Sequence, residues 1–335
     1  MPARVIISRR ERSRLGAVLA ATALASCLTI VRHAAADPSE LDPTIGYNYS
    51  EIETARHAGT AGAQRALSTS LTALFTNPAN IAVERIYHLG ALVQIWPEAG
   101  RQSYGAAATD SIVSSSRMAG AAGVTYNLQD PDGVDRTWTD ARVALAFPFS
   151  ERLFVGLGGR YLWLSQNGTG PLGESLASSG LRNKTIVQNF SFDAGATVKP
   201  TPSLAFSLVG TNLTNPEHGF LPTSFGGGVG FGQKQFALEA DVVADFTTWE
   251  ETRVRAMAGL ELLLAGHYGV RAGYRYDRGA ESHGVSAGFG YIDREFMIDV
   301  GARRVVDGDA ATTIVLGFTY HLEATGLTPT PGDTF

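Results

Sequence analysis

From Ile86 to Leu322 apolar and polar residues alternate with a period of two. In one segment Phe236, Leu238, Ala240, Val242, Ala244 and Phe246 share a face, while Ala237, Glu239, Asp241, Val243 and Asp245 share the other. The next sets Val254, Ala256, Ala258, Leu260, Leu262 and Leu264 against Arg253, Arg255, Met257, Gly259 and Glu261. Val270, Ala272, Tyr274 and Tyr276 then oppose Arg271, Gly273, Arg275 and Asp277. Near the end Ile314, Leu316, Phe318, Tyr320 and Leu322 oppose Thr313, Val315, Gly317, Thr319 and His321. Successive side chains of a strand point to opposite faces, so this period predicts strands with one apolar and one polar side. Fourteen such segments follow one another: 86–96, 102–112, 118–128, 137–147, 153–164, 185–198, 203–213, 223–232, 236–247, 252–264, 268–277, 282–292, 296–306 and 312–322. Most run 10–12 residues, the length a tilted strand needs to cross a bilayer. Globular strands more often run about 5–6. The expected fold is all-β: a transmembrane antiparallel β-barrel of about 14 strands spanning 86–322, preceded by a short, partly helical plug.

The connections support the same architecture. Counted from the first strand, odd-numbered connections such as 129–136, 165–184, 214–222 and 249–251 are on the whole longer than even-numbered ones such as 148–152, 232–235, 265–267 and 293–295. Long loops on one side and tight turns on the other are the habit of membrane barrels. Trp96, Trp138, Tyr161, Trp163, Phe246, Trp249, Tyr276 and Tyr320 gather near strand ends, where interfacial girdles are expected. A soluble sandwich would also alternate, but fourteen long strands with Ala and Gly at facing positions suit it poorly.

The stretch before the strands differs in character. Residues 37–54 are polar and turn-prone; Ala55 to Leu74 is small and Ala-rich, with Ala63, Leu67, Leu71 and Leu74 at helical spacing. A short helix is expected there, ended by Pro78. Residues 37–85 are therefore read as a hatch, and 323–335, rich in Thr, Pro and Gly, as a periplasmic tail.

Residues 1–36 read as an export signal: Arg4, Arg9, Arg10, Arg12 and Arg14 precede the uncharged run Leu15–Val31, and Ala34-Ala35-Ala36 offers a cleavage site. Cys27, the only cysteine, also sits in a lipoprotein-like Leu24-Ala25-Ser26-Cys27 box. Cleavage after Ala36 leaves no cysteine and hence no disulfide scaffold. It also removes six arginines and one glutamate, taking the charge from −5 to −10. An acidic chain of this kind gives no encouragement to nucleic-acid binding. Hydrophobic residues make up 44% and charged residues 18%, at a mean hydropathy of +0.00. That balance excludes a helical membrane protein and permits a barrel, in which only alternate residues meet lipid.

The run from Ala61 through Ser68 and Ser70 to Phe75-Thr76-Asn77-Pro78-Ala79-Asn80-Ile81-Ala82 resembles the N-terminal signature of the FadL-type and PorV-type bacterial outer-membrane barrels. Its Asn77-Pro78-Ala79-Asn80 element is the specific part of that likeness. Val209-Gly-Thr-Asn-Leu213, Gly288-Phe-Gly-Tyr and Leu316-Gly-Phe-Thr-Tyr-His-Leu322 resemble later strands of the same barrels. The resemblance implies 14 strands around an N-terminal hatch, an outer-membrane location, and one of two roles. FadL-type members take up hydrophobic molecules; PorV-type members are non-enzymatic accessories that bind secreted proteins. Only 165–184 is a substantial outer loop here, which departs from the large outer groove of FadL transporters and points toward the smaller PorV-like or uncharacterised members.

No catalytic constellation stands out, and no cofactor is implied. The seven histidines (His33, His57, His88, His218, His267, His283, His321) are scattered without a metal-ligand pair at short spacing. His283 and Asp277 flank a loop and offer a conceivable rim pair, though solvated loop residues are the plainer reading. The informative polar feature is a charge ladder on the inner face: Glu239, Asp241 and Asp245, then Arg253 and Arg255 with Glu261, then Arg271, Arg275 and Asp277, then Asp299 and Arg303. Opposite charges on neighbouring strands attract, so the ladder is expected to hold wall and plug together. The expected partners are outer-membrane lipid and either a small hydrophobic ligand or a secreted protein.

Overall fold

In the computed structural model, residues 52–114, 117–129, 136–166, 184–214, 221–249 and 251–325 are described. The expected export signal with its cleavage site and Cys27, residues 37–51 of the expected hatch, the connections 130–135, 167–183 and 215–220, and residues 326–335 of the expected tail lie outside them.

Fourteen strands form one closed antiparallel barrel. They are β1 (Tyr87–Trp96), β2 (Arg101–Asp110), β3 (Ala119–Gln129), β4 (Arg136–Pro148), β5 (Leu153–Gln166), β6 (Lys184–Thr201) and β7 (Leu204–Thr211). β8 (Ser224–Gly232), β9 (Phe236–Asp245), β10 (Arg253–Leu264), β11 (Tyr268–Asp277), β12 (Ser282–Ile292), β13 (Phe296–Asp307) and β14 (Thr312–His321) complete the wall. Each strand pairs with its sequence neighbour, and β14 returns to β1 from His88↔His321 to Ile95↔Ile314. Closure leaves no unpaired edge, which is what permits strands to span lipid. The expected segments match these strands within a few residues at each end. One end of the barrel carries tight turns such as 202–203, 233–235, 265–267 and 293–295. The other carries the longer connections 167–183, 212–223 and 246–252.

The alternation assigns the faces. Val143 (58% exposed), Leu157 (68%), Trp163 (54%), Leu208 (64%) and Val242 (53%) point outward from a continuous apolar wall. On the intervening positions Arg142, Arg160, Asp241, Arg255 and Arg271 are buried inside. An apolar surface of this size facing water would be strongly unfavourable; facing hydrocarbon it is the ordinary state of such a barrel. Tyr161, Trp163, Phe246 and Tyr276 lie on the lipid side as expected. Trp96 and Trp138 do not: both are buried in the lumen, where the Arg101 guanidinium lies 3.8 Å and 4.7 Å from their ring centroids. Strand parity decides this, since both tryptophans fall on inward positions of β1 and β4.

Inside the wall lie α1 (Ala55–Gly59), α2 (Ser70–Thr76) and a 3₁₀ turn over Pro78–Ala82. Leu71 and Leu74 are helical as expected, and the helix ends before Pro78. Ala63 and Leu67 are not: the chain between the helices runs through turns and bends, with Ala61 and Gly62 at positive φ, as is Ser70 at the start of α2. The backbone N–H groups a continuous helix would have used there are taken by carboxylates of the wall, as described next.

A hatch-filled lumen as the candidate functional site

The lumen has two unlike sectors, and the hatch is divided between them. At the tight-turn half of β2–β5 the inward residues are Ala107, Ala119, Ala121, Ala144, Ala146, Phe154 and Gly156. Against them pack Leu71, Ala73 and Leu74 of α2 and Ala79, Ile81 and Ala82 of the 3₁₀ turn, with Phe75 and Val83 at the margin. Small wall residues let the hatch backbone approach closely. A Cβ on Gly156 would run into the backbone of Pro78 and Ala79, and one on Gly195 into the Asn77 carboxamide.

The Asn77-Pro78-Ala79-Asn80 element is the knot of this half. Asn77 Nδ2 donates to Arg65 O (2.8 Å) and to Thr197 Oγ1 of β6 (2.9 Å), while its Oδ1 accepts from Ala79 N (3.1 Å) and caps the turn. Asn80 Nδ2 donates to Arg65 O (3.0 Å) and Ser68 Oγ (3.0 Å), and Thr197 Oγ1 donates to Asn80 Oδ1 (2.6 Å). Both asparagines are buried, so these bonds replace water that neither amide can reach. Pro78 starts the turn where its missing N–H costs nothing.

The other sector, β9–β13, is charged, and residues 52–67 lie on it. Asp241 Oδ2 accepts from Gln64 N and Arg65 N (both 2.9 Å) and pairs with the Arg65 guanidinium at 3.3 Å. Glu239 accepts from Ala66 N and, at 3.1 Å, from Leu67 N. These two acids therefore grip the hatch backbone, and they do not pair with arginines of β10. Register explains why: Asp241 faces Met257 and Glu239 faces Gly259, neither of which offers a charge. Asp245 faces Arg253, yet its carboxylate caps the outer turn, accepting from Thr247 N, Thr248 N and Thr248 Oγ1. Arg253 instead lies 3.8 Å from the exposed Glu251.

Further round, the wall charges meet one another. Asp277 sits 3.8 Å from Arg255 and 3.3 Å from Arg275. Arg271 contacts Glu261 on β10 at 2.9 Å and Asp299 on β13 at 2.6 Å. The second contact spans the whole of β12, whose inward positions include Gly288 and Gly290. A Cβ at Gly290 would strike the Asp299 carboxylate and lie 3.2 Å from Arg271 Nη1. Arg303 pairs with Glu53 of the hatch, and Arg56 of α1 lies 2.8 Å from Glu261. The rim pair does not form: Asp277 points into the lumen, whereas His283 faces outward beside Tyr274 and Tyr276.

Reading the sequence without the fold overlooked the hatch partners Glu53, Arg56 and Arg65, and the cluster of Asp140 with Arg142 (3.1 Å) and Arg160 on β4 and β5. Parity was the available signal for the cluster, because all three occupy inward positions beside outward Val143, Leu145 and Leu157. No signal marked the hatch partners, because which strands they meet depends on how the segment is threaded. Among the described residues, two cavities lie beneath the hatch toward the tight turns. One of about 470 Å³ is lined by Arg56, Leu67, Lys199, Lys234, Phe236 and Glu261 among others. One of about 240 Å³ is lined by Leu71, His88, Leu92, Ala107, Arg271 and His321 among others.

A closed 14-stranded barrel with an apolar outer face and an internal hatch is an outer-membrane-type transmembrane barrel. Comparison with solved structures places it more narrowly. The Ralstonia pickettii toluene transporter TbuX superposes with a TM-score of 0.61 at 12% identity, covering 82% of this chain and 99% of that one. The Pseudomonas putida toluene transporter TodX gives 0.57 at 14%, covering 81% and 98%. A Pseudomonas aeruginosa FadL homologue gives 0.56 at 14%, covering 81% and 99%. At such identities the likeness is one of fold: the chain is built as a FadL-like barrel. Neither protein-family models nor curated proteins give a match to this sequence.

Proposed function

We propose that this protein is an outer-membrane channel for small hydrophobic molecules, with residues 52–82 as its gate. The observation that carries this reading is the apolar sector of the lumen. Residues of α2 and of the tight-turn half of β2–β5 form a continuous apolar contact, and the 240 Å³ cavity opens beside it at Leu71, Leu92 and Ala107. At the tight-turn half of these strands, below Asp140, Arg142 and Arg160, a hydrocarbon that displaced α2 would meet alkyl groups, not the carboxylates and guanidiniums of β9–β13. Passage across the charged sector would strip water from those groups with nothing gained, which is unfavourable. The toluene transporters that share the fold are consistent with such cargo. The alternative role, docking of secreted proteins, is favoured by no feature of the described residues.

The test is uptake of radiolabelled toluene and of a long-chain fatty acid by cells that lack their own hydrophobic-uptake channels. Expression of the intact chain is expected to speed entry of at least one of them. Equal entry with and without the protein, at matched surface levels, overturns the reading.

A further inference from the structure

The barrel's closing seam brings together three ligating side chains from opposite ends of the wall. His88 lies near the start of β1, His321 ends β14, and the antiparallel pairing of these strands sets the two directly opposite each other. Glu323 follows on the 3₁₀ turn Leu322–Thr325. The imidazoles stack with centroids 4.3 Å apart, and His88 Nε2 lies 2.8 Å from Glu323 Oε1. One ring nitrogen of each histidine and one carboxylate oxygen all fall within 4.8 Å of one another.

The remaining polar atoms of the three are already oriented. His88 Nδ1 lies 2.6 Å from Ser70 Oγ on the first residue of α2, and His321 Nδ1 lies 3.1 Å from Arg294 O. A carbonyl only accepts, so His321 Nδ1 is the donor in that contact, which leaves Nε2 as the ring nitrogen available to a metal. Glu323 Oε2 accepts from Tyr87 N at 3.0 Å, which turns Oε1 toward the rings. Outer contacts of this kind, which fix tautomer and ring angle, accompany metal-ligating histidines.

We propose that His88, His321 and Glu323 bind a Zn²⁺-type divalent ion through the two Nε2 atoms and Oε1. Two imidazoles and one carboxylate, with a water at the fourth position, are a donor set that suits this ion. Bonds of about 2.0–2.2 Å in a tetrahedron put ligand atoms about 3.4 Å apart. Groups already within 4.8 Å reach that spacing by side-chain rotation. The ion joins the first strand to the last at the one seam where the chain is not continuous through a turn. Through Ser70 it also braces α2 of the hatch. A bare ion pair between His88 and Glu323, beside a stacked second imidazole, is the competing account.

The experiment is a Co²⁺ titration of the untagged full chain in detergent, followed by displacement with Zn²⁺. One equivalent of Co²⁺ with the visible absorption of a four-coordinate ion is expected, lost in His321→Gln and in Glu323→Gln. Ser70→Ala is expected to keep the site but to weaken Zn²⁺ binding by about 10–100-fold. Absence of stoichiometric binding to the intact chain overturns the proposal, as does binding that survives unchanged in both variants. Should those variants fail to fold, diethyl pyrocarbonate labelling of the intact chain decides. Protection of His88 and His321 by Zn²⁺ supports the site, and equal labelling with and without Zn²⁺ overturns it.

Discussion

Asp241 and Asp245 stand on the same inward face of β9, yet they hold different things. Asp241 takes two backbone N–H groups of the hatch and the Arg65 guanidinium, whereas Asp245 is spent on the turn over Thr247 and Thr248. Asp241→Ala leaves two hatch N–H groups without acceptors and is expected to weaken hatch seating by about 2–4 kcal/mol. In planar bilayers this should appear as frequent openings of an otherwise quiet channel. Asp245→Ala should leave the recording quiet, and the same activity from both variants would show that Asp241 does not hold the hatch. Arg271 makes a different case, because it is almost fully buried between Glu261 and Asp299. Removing it leaves Asp299 without its cation, at a cost of about 3–5 kcal/mol. Arg271→Ala should therefore lower the urea midpoint of unfolding in detergent or lipid. Unchanged stability with altered permeability would mean that this arginine serves passage and not the wall.

At the scale of elements, the strands were legible from their period because each carries its own instruction: lipid on one side, hatch and polar groups on the other. Val143 lies near the middle of β4, outward and 58% exposed. Val143→Arg is expected to destabilise the barrel in lipid by about 2–4 kcal/mol, and the same change at Phe149 in the tight turn after β4 should cost far less. Equal losses in a folding titration into vesicles would remove Val143 from the bilayer interior. The hatch was less legible. Its Leu71 and Leu74 follow a helical period, but residues 61–69 obey the carboxylates of β9, which no local pattern announces. The same limit misplaced Trp96 and Trp138: proximity to a strand end suggested a girdle, while parity put them around Arg101.

Among the described residues the hatch occupies the lumen of the wall, so removing it should open the barrel. Deletion of residues 37–82 is expected to turn a quiet barrel into a large, steady pore in planar bilayers, provided refolding into detergent is first verified by heat-modifiable migration. Unchanged conductance of the folded deletion protein would sink the idea that the segment plugs the lumen. The cavities beneath the hatch lie on the tight-turn side. On the proposed route, a molecule that passed α2 would arrive beside Leu71, Leu92 and Ala107, with His88 and His321 also in the lining.

The period-two pattern by itself determined the number of strands, their approximate ends and which face of each meets lipid. It could do so because a strand alternates whatever its neighbours are. The Asn77-Pro78-Ala79-Asn80 element similarly announced the end of the hatch helix, since proline stops a helix locally. Which groups meet was decided only by the closed barrel. Register set Asp241 opposite Met257 and freed it for the hatch, and glycines in β12 let Arg271 reach Asp299 two strands away. Closure placed His88 beside His321 although they belong to the first and last strands. These are long-range consequences of pairing and threading, and the chain states them nowhere in any one stretch.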